Sequence, residues 1–410
     1  MKKLLSILLV VCMAVGLVAP VGAAIIPAGF IPVYTPEDLD NIRKNPASSY
    51  ILMNDLDMSA WGNWEPLAAN EWVWDEFEID GWCSRFTGVF DGGGHTISNL
   101  TSEWQDASLF GWLDESALVK NLNLANVNIE GWTAGAVATL ALDNSAIVNV
   151  SVTGNITGYR LAGGIVGFIN AEDEVDARIY IRGCHNAANV TSYETAGGIV
   201  GEAVLWYWPT EKMIMISRSS NSGTISAIAQ NNDTIYVGGI QGRGNATIVN
   251  SYNTGIVQGG GGWETYIGGI TGSAHLEPYG RLINTGEVRI IGSEDKVYIG
   301  AIAGHSNGSV VYSYFSNELP AVGSSRIRVQ LHSVQQLKSA ELRQRSSYRG
   351  FDFNSVWQIN EGVSSPTLRA DNSDALADPV PQIPLWTLLP DWIQFILRNL
   401  LFGWLWFNWL

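Results

Sequence analysis

The feature that most constrains this fold is a glycine-flanked apolar motif that recurs about every thirty residues. GGIVG occurs at Gly163–Gly167 and Gly197–Gly201, GGIQG at Gly238–Gly242, GGITG at Gly268–Gly272, and a degenerate GAIAG at Gly300–Gly304. From Gly135 to Ala301 the second-glycine position recurs at intervals of 29, 34, 41, 30 and 32 residues. A period of this length is typical of stacked repeats, in which no single unit can bury its apolar face alone.

A second half-motif follows each glycine motif. It reads as an apolar residue, polar residues, Asn-x-Gly and a short alternating segment, as in ISRSSNSGTIS from Ile216, IVNSYNTGIVQ from Ile248 and LINTGEVRI from Leu282. Alternation with many Val, Ile and Thr residues predicts short strands. We interpret Asn-x-Gly as turn chemistry, since both residues tolerate left-handed backbone angles.

Stacked coils built from such units would pair as parallel strands about 4.8 Å apart around an apolar column. A large antiparallel β-sandwich is the alternative, but a sandwich predicts no thirty-residue period. The paired glycines are predicted where a Cβ would clash with the next coil. These structural glycines are Gly163, Gly164, Gly167, Gly197, Gly198, Gly201, Gly238, Gly239, Gly242, Gly268, Gly269 and Gly272.

The repeat units resemble GLUG repeats, which occur in bacterial surface and secreted proteins. These include adhesin-like proteins and the region that precedes the protease domain of IgA-cleaving metalloproteases. The opening block, YTPEDLDNIRKNPASSYILMNDLDMSAWGNWEPL followed by FTGVFDGGGHTISNL, resembles the unit that opens such arrays, and the resemblance spans about Val33 to Leu368. It implies an all-β fold, a parallel β-solenoid similar to a right-handed β-helix, with a surface or adhesive role and no chemistry.

The ends of the array carry signals for caps, which a solenoid needs to cover its open column. Thr35 is a predicted N-cap followed by Pro36, which predicts a short helix from Pro36 to about Lys44. Ser333–Arg345 is a second predicted helix. The domain assignment is a signal peptide at 1–23, a capping and opening block at 24–107, the solenoid at 108–320, a C-terminal cap at 321–369, an acidic proline-rich linker at 370–384 and a hydrophobic tryptophan-rich tail at 385–410.

The N-terminus predicts export to the extracellular space or cell surface. A basic MKK start, an apolar run and small residues before a cleavage point after Ala23 form a signal peptide. Cys83 and Cys184 then remain, 101 residues apart, as buried thiols or as one pair. The net charge of −16, from 39 acidic against 23 basic residues, argues against a nucleic-acid partner.

The C-terminal tail raises three alternatives. Trp392 to Leu410 is 19 residues with one charge, Arg398, which is marginally long enough to span a bilayer. Asp391, Gln394 and Arg398 lie on one helical face, so an interfacial helix fits as well. The third alternative is a hydrophobic cap that docks on the last coil or on another subunit. Our hypothesis is membrane or envelope association.

The stretch FDGGGHTISNL contains Asp91 and His95, which invite a catalytic interpretation. The same pattern fits a solenoid corner, in which Asp91 caps the turn and the glycines adopt unusual backbone dihedrals. We predict such a corner, with no catalytic role for His95. No HExxH motif or metal-ligand spacing occurs, so the sequence predicts no catalytic residue, metal or cofactor. The acids of Asn70–Asp80 and Asn170–Arg178 predict solvated loops, although paired acids for glycoside hydrolysis remain an alternative.

Aromatic insertions supply the predicted ligand-binding residues, which are Trp72, Trp74, Trp206, Tyr207, Trp208 and Trp263. Exposed rings on a rigid scaffold are platforms for sugars or protein partners. The alternative is that such rings cover the column where a coil is irregular, which we favour for Trp61 and Trp64. The sequence thus predicts a non-enzymatic, adhesin-like binding protein for host or neighbouring-cell glycans or matrix proteins. A carbohydrate-active β-helix enzyme and a purely structural envelope spacer are the alternatives.

Overall fold

The computed structural model describes residues 26–69, 84–171, 177–205, 213–231, 233–274, 279–292, 296–326, 329–370 and 378. In these residues short strands wind coil upon coil, and the strands of each coil pair in parallel with those of the next coil. In the C-terminal cap, Trp357–Gln358 and Thr367–Leu368 pair antiparallel. The predicted fold class, an all-β parallel solenoid, is confirmed. The predicted signal peptide, Cys83 and the hydrophobic segment at 385–410 lie outside the described residues.

The strands are short, except where three or four segments of one coil run together. Those of the first coils are β1 (Phe30–Val33), β2 (Ser49–Leu52), β3 (Leu56–Asp57), β4 (Val89–Asp91), β5 (Thr96–Ser98), β6 (Thr101–Glu103), β7 (Asp106–Ala107), β8 (Phe110–Leu113), β9 (Leu118–Gly135), β10 (Ala138–Ala141), β11 (Ala146–Gly163) and β12 (Val166–Ala171). The central coils contain β13 (Arg178–Arg182), β14 (His185–Asn186), β15 (Asn189–Ser192), β16 (Thr195–Gly197), β17 (Val200–Leu205), β18 (Met213–Ser217), β19 (Ser220–Asn221), β20 (Ile225–Ile228), β21 (Ile235–Gly238), β22 (Gln241–Gly244), β23 (Thr247–Val249) and β24 (Tyr252–Asn253). The last coils and the cap contain β25 (Val257–Gly260), β26 (Thr265–Gly268), β27 (Thr271–Ala274), β28 (Tyr279–Gly280), β29 (Ile283–Asn284), β30 (Val288–Ile290), β31 (Val297–Gly300), β32 (Ala303–Ser306), β33 (Ser309–Phe315), β34 (Val322–Ser324), β35 (Gln330–Gln336), β36 (Trp357–Gln358) and β37 (Thr367–Leu368).

Two sheets form the walls of the solenoid. A central coil gives the large sheet four segments, such as β13 to β16, and gives the small sheet one, such as β17. The small sheet runs β8, β10, β12, β17, β22, β27, β32 and β34 in order along the axis. Parallel pairing already begins at β1 with β2, so the block at 24–107 is itself part of the stack.

The glycine motif sets the register between coils. The first glycines of successive motifs are direct partners, with Gly163 opposite Gly197, Gly197 opposite Gly238 and so on to Gly300. Gly135 is the partner of Gly163, not of Gly164, so it occupies the first-glycine position and the first interval is 28 residues. A Cβ on Gly164 would lie 2.0 Å from the carbonyl oxygen of Gly198, so this position requires glycine.

The apolar column runs through the interior of these coils. The isoleucine that follows each glycine pair is fully buried in every copy, namely Ile165, Ile199, Ile240, Ile270 and Ile302. Together with the inward-facing residues of the large sheet, they form one continuous cluster from Val33 to Phe315. Burial of this apolar area is the main stabilising contribution to the stack.

The asparagines of the Asn-x-Gly motif form a buried ladder, which corrects the interpretation from sequence. Asn186, Asn221, Asn253 and Asn284 are all fully buried and none has a positive φ. The Nδ2 of each of the first three donates to the Oδ1 of the asparagine in the next coil, at 2.8, 2.8 and 2.9 Å, and Asn284 donates to the carbonyl oxygen of Ala301 at 2.9 Å. Left-handed asparagines occur at a different corner, at Asn121, Asn149 and Asn250.

The glycine of the motif is required by close packing. A Cβ on Gly255 would lie 2.0 Å from the carbonyl oxygen of Gly223 and 2.8 Å from Nδ2 of Asn221. Its φ is not left-handed. Asn-x-Gly therefore recurs at Asn221, Asn253 and Asn284 because the asparagine bonds along the axis and the glycine lets the coils approach.

The caps differ from prediction at one end. At the N-terminus, helix α1 (Pro36–Asp40) continues as a 3-10 turn at Asn41–Lys44, and Thr35 and Asp38 cap each other reciprocally, so this prediction is confirmed. The predicted helix at Ser333–Arg345 is wrong, because its first residues belong to β35, which pairs with β33. Only 3-10 turns at Glu341–Arg343 and Arg345–Ser347 remain of it. The open edge of β33 offers ladder hydrogen bonds that outweigh a weak helical propensity.

Candidate functional site

The sequence-predicted aromatic loops are described only in part. Trp72, Trp74, Trp206, Tyr207 and Trp208 lie outside the described residues, as do most of the two acidic insertions. Trp263 is 56% exposed, and the Nζ of Lys296 lies 4.4 Å from the centroid of its ring. One face of this ring is thus occupied by a cation of the chain itself.

Trp64 has a packing role. It is fully buried, and its Nε1 donates to the carbonyl oxygen of Leu109 at 3.1 Å. Trp61 lies beside it with ring centroids 5.6 Å apart and packs against the column.

The FDGGGHTISNL stretch has the geometry of a turn between β4 and β5. Gly93 and Gly94 have φ of 60° and 80°. The Oδ1 of Asp91 accepts from the backbone N–H of Gly93 at 2.9 Å and from Nδ2 of Asn121 at 3.1 Å. His95 points to Asp55 instead, with 3.3 Å between its Nδ1 and Oδ1 of that residue. Asp91 and His95 therefore serve different contacts and form no acid–base pair.

Cys184 is buried beneath the large sheet and forms no disulfide. Burial raises the pKa of its thiol to about 12, so it stays protonated and unreactive at neutral pH. Among the described residues, no group of three His, Cys, Asp or Glu side chains is close enough together to hold a metal ion.

A row of exposed rings, which the sequence interpretation missed, follows one corner of the solenoid. Trp104, Trp132, Tyr159 and Tyr193 occupy the turn between the third and fourth strand segments of four successive coils, and we call them the aromatic corner. The first three are 44, 46 and 40% exposed. The rings of Tyr159 and Tyr193 are stacked, with centroids 5.9 Å apart and planes 11° from parallel.

The fold places these rings outward for a local reason. The strand pairings on both sides fix the corner, with Glu103 opposite Glu130 before it and Asp106 opposite Thr133 after it. Gly131 lies within the turn, where a Cβ would overlap the backbone of Trp104 and the side chain of Ala107. The coils therefore approach closely at this corner, and the large side chains beside Gly131 project into solvent.

An open cavity of about 960 Å³ lies at the aromatic corner. Its walls are the rings of Trp104, Trp132 and Tyr159, together with Glu103, Gln105, Glu130, Gly131 and Arg160. The hydroxyl of Tyr159 donates to the carboxylate of Glu130, and this bond, with burial and nearby negative charge, raises the pKa of the Tyr159 phenol. Arg160 lies 3.4 Å from a carboxylate oxygen of Glu194 on the next coil.

A second cavity of about 480 Å³ continues from the first toward the small sheet. The two share Gln105, Trp132 and Arg160 as lining residues. Asp106 also lines the second cavity, and burial raises the pKa of its carboxyl to about 6. Glu202 lines the second cavity as well, in an ion pair with Arg243. The second cavity therefore contains one carboxyl whose pKa is raised by burial and one carboxylate that is paired with an arginine.

A stack of tyrosines extends the aromatic surface along the axis. Tyr236, Tyr266 and Tyr298 are direct partners in successive coils, with ring centroids 5.2 and 4.8 Å apart and planes 7° and 17° from parallel. The sequence did contain the signal for these rings. An aromatic residue stands two to four positions ahead of the first glycine in six repeats, from Trp132 to Tyr298.

The fold and site together define a class, a parallel β-solenoid with an aromatic, acid-lined groove along one corner. No family model matches the chain. Halomucin from Haloquadratum walsbyi is 35% identical over 135 residues, which are 32% of this chain and 1% of halomucin, so the chain spans only about a hundredth of that protein's length. A solved structure of a candidate immunoglobulin A1 protease from Bacteroides ovatus is similar over 82% of this chain and 91% of its own, with a TM-score of 0.49 and 18% identity. In the part of the chain that the structure describes, no helix is long and apolar enough to cross a membrane.

Proposed function

We propose that this chain is an exported, adhesin-like binding protein that holds an extended glycan along its aromatic corner without cleaving it. The observation that carries the proposal is the placement of three exposed rings on consecutive coils around one open cavity. Coils about 4.8 Å apart repeat the same contact along the axis, which suits a ligand that is itself a repeating polymer. The apolar face of a sugar ring packs against an aromatic face, and a polymer can use several such faces at once.

The polar groups of the cavity complete a sugar-binding arrangement. Binding cavities combine apolar walls with a few placed polar groups that fix orientation. Here Glu103 and Gln105 supply acceptors, while Gln105 and Arg160 supply donors, for ligand hydroxyl groups. Because the corner lies between paired strands, the backbone that carries the rings is fixed before binding, which lowers the entropic cost of association.

The proposed surface location rests on the sequence. The signal peptide at 1–23 and the resemblance of the repeats to GLUG repeats both favour export. The local similarity to halomucin is compatible with that location. We further propose that the tail at 385–410 associates with the envelope, so a chain ending at Asp371 should be released into the medium while the full chain is retained.

The double variant Trp104→Ala/Trp132→Ala tests the site. Its affinity for a polysaccharide selected on a glycan array should fall at least about tenfold, since each lost stacking contact weakens binding. Trp263→Ala is the matched control, because that ring is more exposed than Trp104 and Trp132 but lies outside the cavity, with Lys296 over its face. Circular dichroism should be unchanged for both.

A second double variant separates the corner from the insertion loops. If Trp206→Ala/Trp208→Ala abolishes binding while Trp104→Ala/Trp132→Ala leaves it intact, the site lies on the loops. If no polysaccharide or matrix protein binds the wild-type chain, the binding role itself is wrong and the structural spacer is favoured.

One observation favours a second candidate function, a carbohydrate-active enzyme. Burial raises the pKa of the Asp106 carboxyl to about 6, and Asp106 lines the second cavity together with Glu202. Glycoside hydrolases use a pair of carboxyls, of which the general acid has a raised pKa. Release of reducing ends from a bound polysaccharide, abolished by Asp106→Asn, would establish this alternative and overturn the non-enzymatic proposal.

A further inference from the structure

The cavity at the aromatic corner has an uncompensated negative charge. Glu103 and Glu130 are direct cross-strand partners, an arrangement of like charges that is destabilising in a sheet. Among the described residues, no Lys, Arg or His comes within 4.0 Å of either carboxylate. Arg160 also lines the cavity, but it pairs with Glu194 on the neighbouring coil. The fold thus keeps two adjacent carboxylates at a cavity wall without neutralising them.

The rings beside these carboxylates have free faces. Elsewhere the chain covers aromatic faces with its own cations, as Lys296 covers Trp263 at 4.4 Å and Arg243 covers Tyr236 at 4.9 Å. Within the described part of the chain, neither Trp104 nor Trp132 has a Lys or Arg over its ring. Both line the cavity and both are nearly half exposed. A cation from outside the chain can therefore reach them.

Two elements that bind organic cations occur together here, namely free aromatic faces and carboxylates. An ammonium group is attracted to the face of an indole or phenol ring, and more strongly when it is partly desolvated. Two carboxylates add countercharge and accept the N–H bonds of an amine. A phosphate, sulfate or uronic acid in the same place would meet Glu103 and Glu130 as like charges.

We propose that the cavity at the aromatic corner binds a positively charged amine on the ligand, with Glu103 and Glu130 as counterions and Trp104 and Trp132 as the aromatic faces. This inference rests on the proposed glycan-binding function and narrows it, since the glycan is then one that carries free amino groups. Tyr159 positions Glu130 through its hydroxyl bond, so that the carboxylate faces the cavity beside the rings.

The test uses oligosaccharides that differ only at the amine. Calorimetry with the full chain at low salt should show glucosamine oligomers binding about tenfold more tightly than the N-acetylglucosamine oligomers of the same length. Glu103→Gln/Glu130→Gln should remove this preference, so that the affinities for the two oligomers come within about twofold of each other, because glutamine has the shape of glutamate without its charge. Glu287→Gln, an exposed glutamate on a distant coil, is the matched control and should change neither affinity.

The outcomes distinguish the two proposals. Equal affinity for both oligomers, lost in Trp104→Ala/Trp132→Ala, would support glycan binding and overturn the amine site. Binding of tetramethylammonium that depends on Glu103 and Glu130, with no oligosaccharide bound, would support the cation site and overturn the glycan-binding function. Tighter binding of the glucosamine oligomer that survives Glu103→Gln/Glu130→Gln would place the amine elsewhere and refute the assignment.

Discussion

Replacing Asn253 by alanine should cost about 3–5 kcal/mol of unfolding free energy, because it breaks the buried ladder in its middle. The side chain of Asn253 accepts from Nδ2 of Asn221 at 2.8 Å and from the backbone N–H of Gly255 at 3.2 Å. It donates to Oδ1 of Asn284 and to the carbonyl oxygen of Gly255, both at 2.9 Å. Each of these partners lies in the dry interior.

The magnitude follows from the groups that would lose their partners. Asn221 keeps its bond to Gly223, and Asn284 keeps its acceptor role toward Gly286. Three groups are left unsatisfied: one N–H of Asn221 and both backbone polar groups of Gly255. A buried group left without a partner costs about 1–3 kcal/mol, and a water that enters the vacated space would recover part of that.

The assay is urea denaturation followed by circular dichroism, together with hydrogen exchange of the coil amides. Hydrogen exchange is needed because stacked repeats need not unfold in a single step. Asn189→Ala is the matched control, since this exposed asparagine donates to Oδ1 of Asn155 at 3.2 Å on the outer face. The control should lose less than about 1 kcal/mol. If Asn253→Ala were no more destabilising than Asn189→Ala, the ladder would be incidental and the column would rest on its apolar residues alone.

Three further predictions concern charged and titratable side chains. Asp378→Asn should lower the free energy of unfolding by about 1–3 kcal/mol, because the carboxylate of Asp378 is almost fully buried and accepts from Arg182 at 2.7 Å and from Arg218 at 3.1 Å. Although burial raises the pKa of Asp378, its hydrogen bonds to Arg218, Asn250 and Arg182 outweigh that effect and lower it. This contribution should therefore be present at neutral pH and be lost as pH falls through the lowered value, which urea denaturation between pH 7 and pH 2 measures. Asp106→Asn should stabilise the chain by about 1–3 kcal/mol at pH 7, because burial raises the pKa of the Asp106 carboxyl to about 6 and disfavours its ionised form in the folded state. This gain in stability should vanish below about pH 4, where the carboxyl is protonated in both states. Melting curves of both variants at the two pH values measure the difference. His95→Ala should change the unfolding free energy by less than about 1 kcal/mol, since the imidazole is partly exposed and faces the exposed carboxylate of Asp55. A larger loss in the same urea assay would show that this side chain supports the first corner.

The length of each coil and the register between coils could be predicted from the sequence because the glycine motif occurs once per coil at the same position. The first glycines repeat at the coil period, and the structure pairs them directly, from Gly163 with Gly197 onward. The reason for Asn-x-Gly could not be read in the same way. A left-handed turn and an axial hydrogen-bond ladder both favour Asn followed by Gly, and only the burial of Asn221 between two other coils decides between them. The sequence of one repeat does not show which side chains of the neighbouring coils lie against it.

The candidate site was missed for a related reason. Clustered rings such as Trp206 and Trp208 are conspicuous in the sequence, whereas Trp104, Trp132 and Tyr159 stand alone and become a cluster only when the coils are stacked. The predicted helix at Ser333–Arg345 failed for the same physical reason. Its residues have a helical preference in isolation, but the paired edge of β33 decides their conformation.

The stacking also makes the aromatic surface chemically different at its two ends along the axis. At the N-terminal coils, the carboxylates of Glu103 and Glu130 stand beside free rings. Toward the C-terminal coils, Arg243 lies over the ring of Tyr236 and Lys296 lies over the ring of Trp263. The same two cations pair with Glu202 and Glu264, so these rings and carboxylates are already occupied from within the chain. A ligand with amines spaced along its length would therefore gain charge complementarity at the N-terminal coils. We expect binding to require only a short amine-bearing segment, since amines beyond the aromatic corner would have to displace cations of the chain itself.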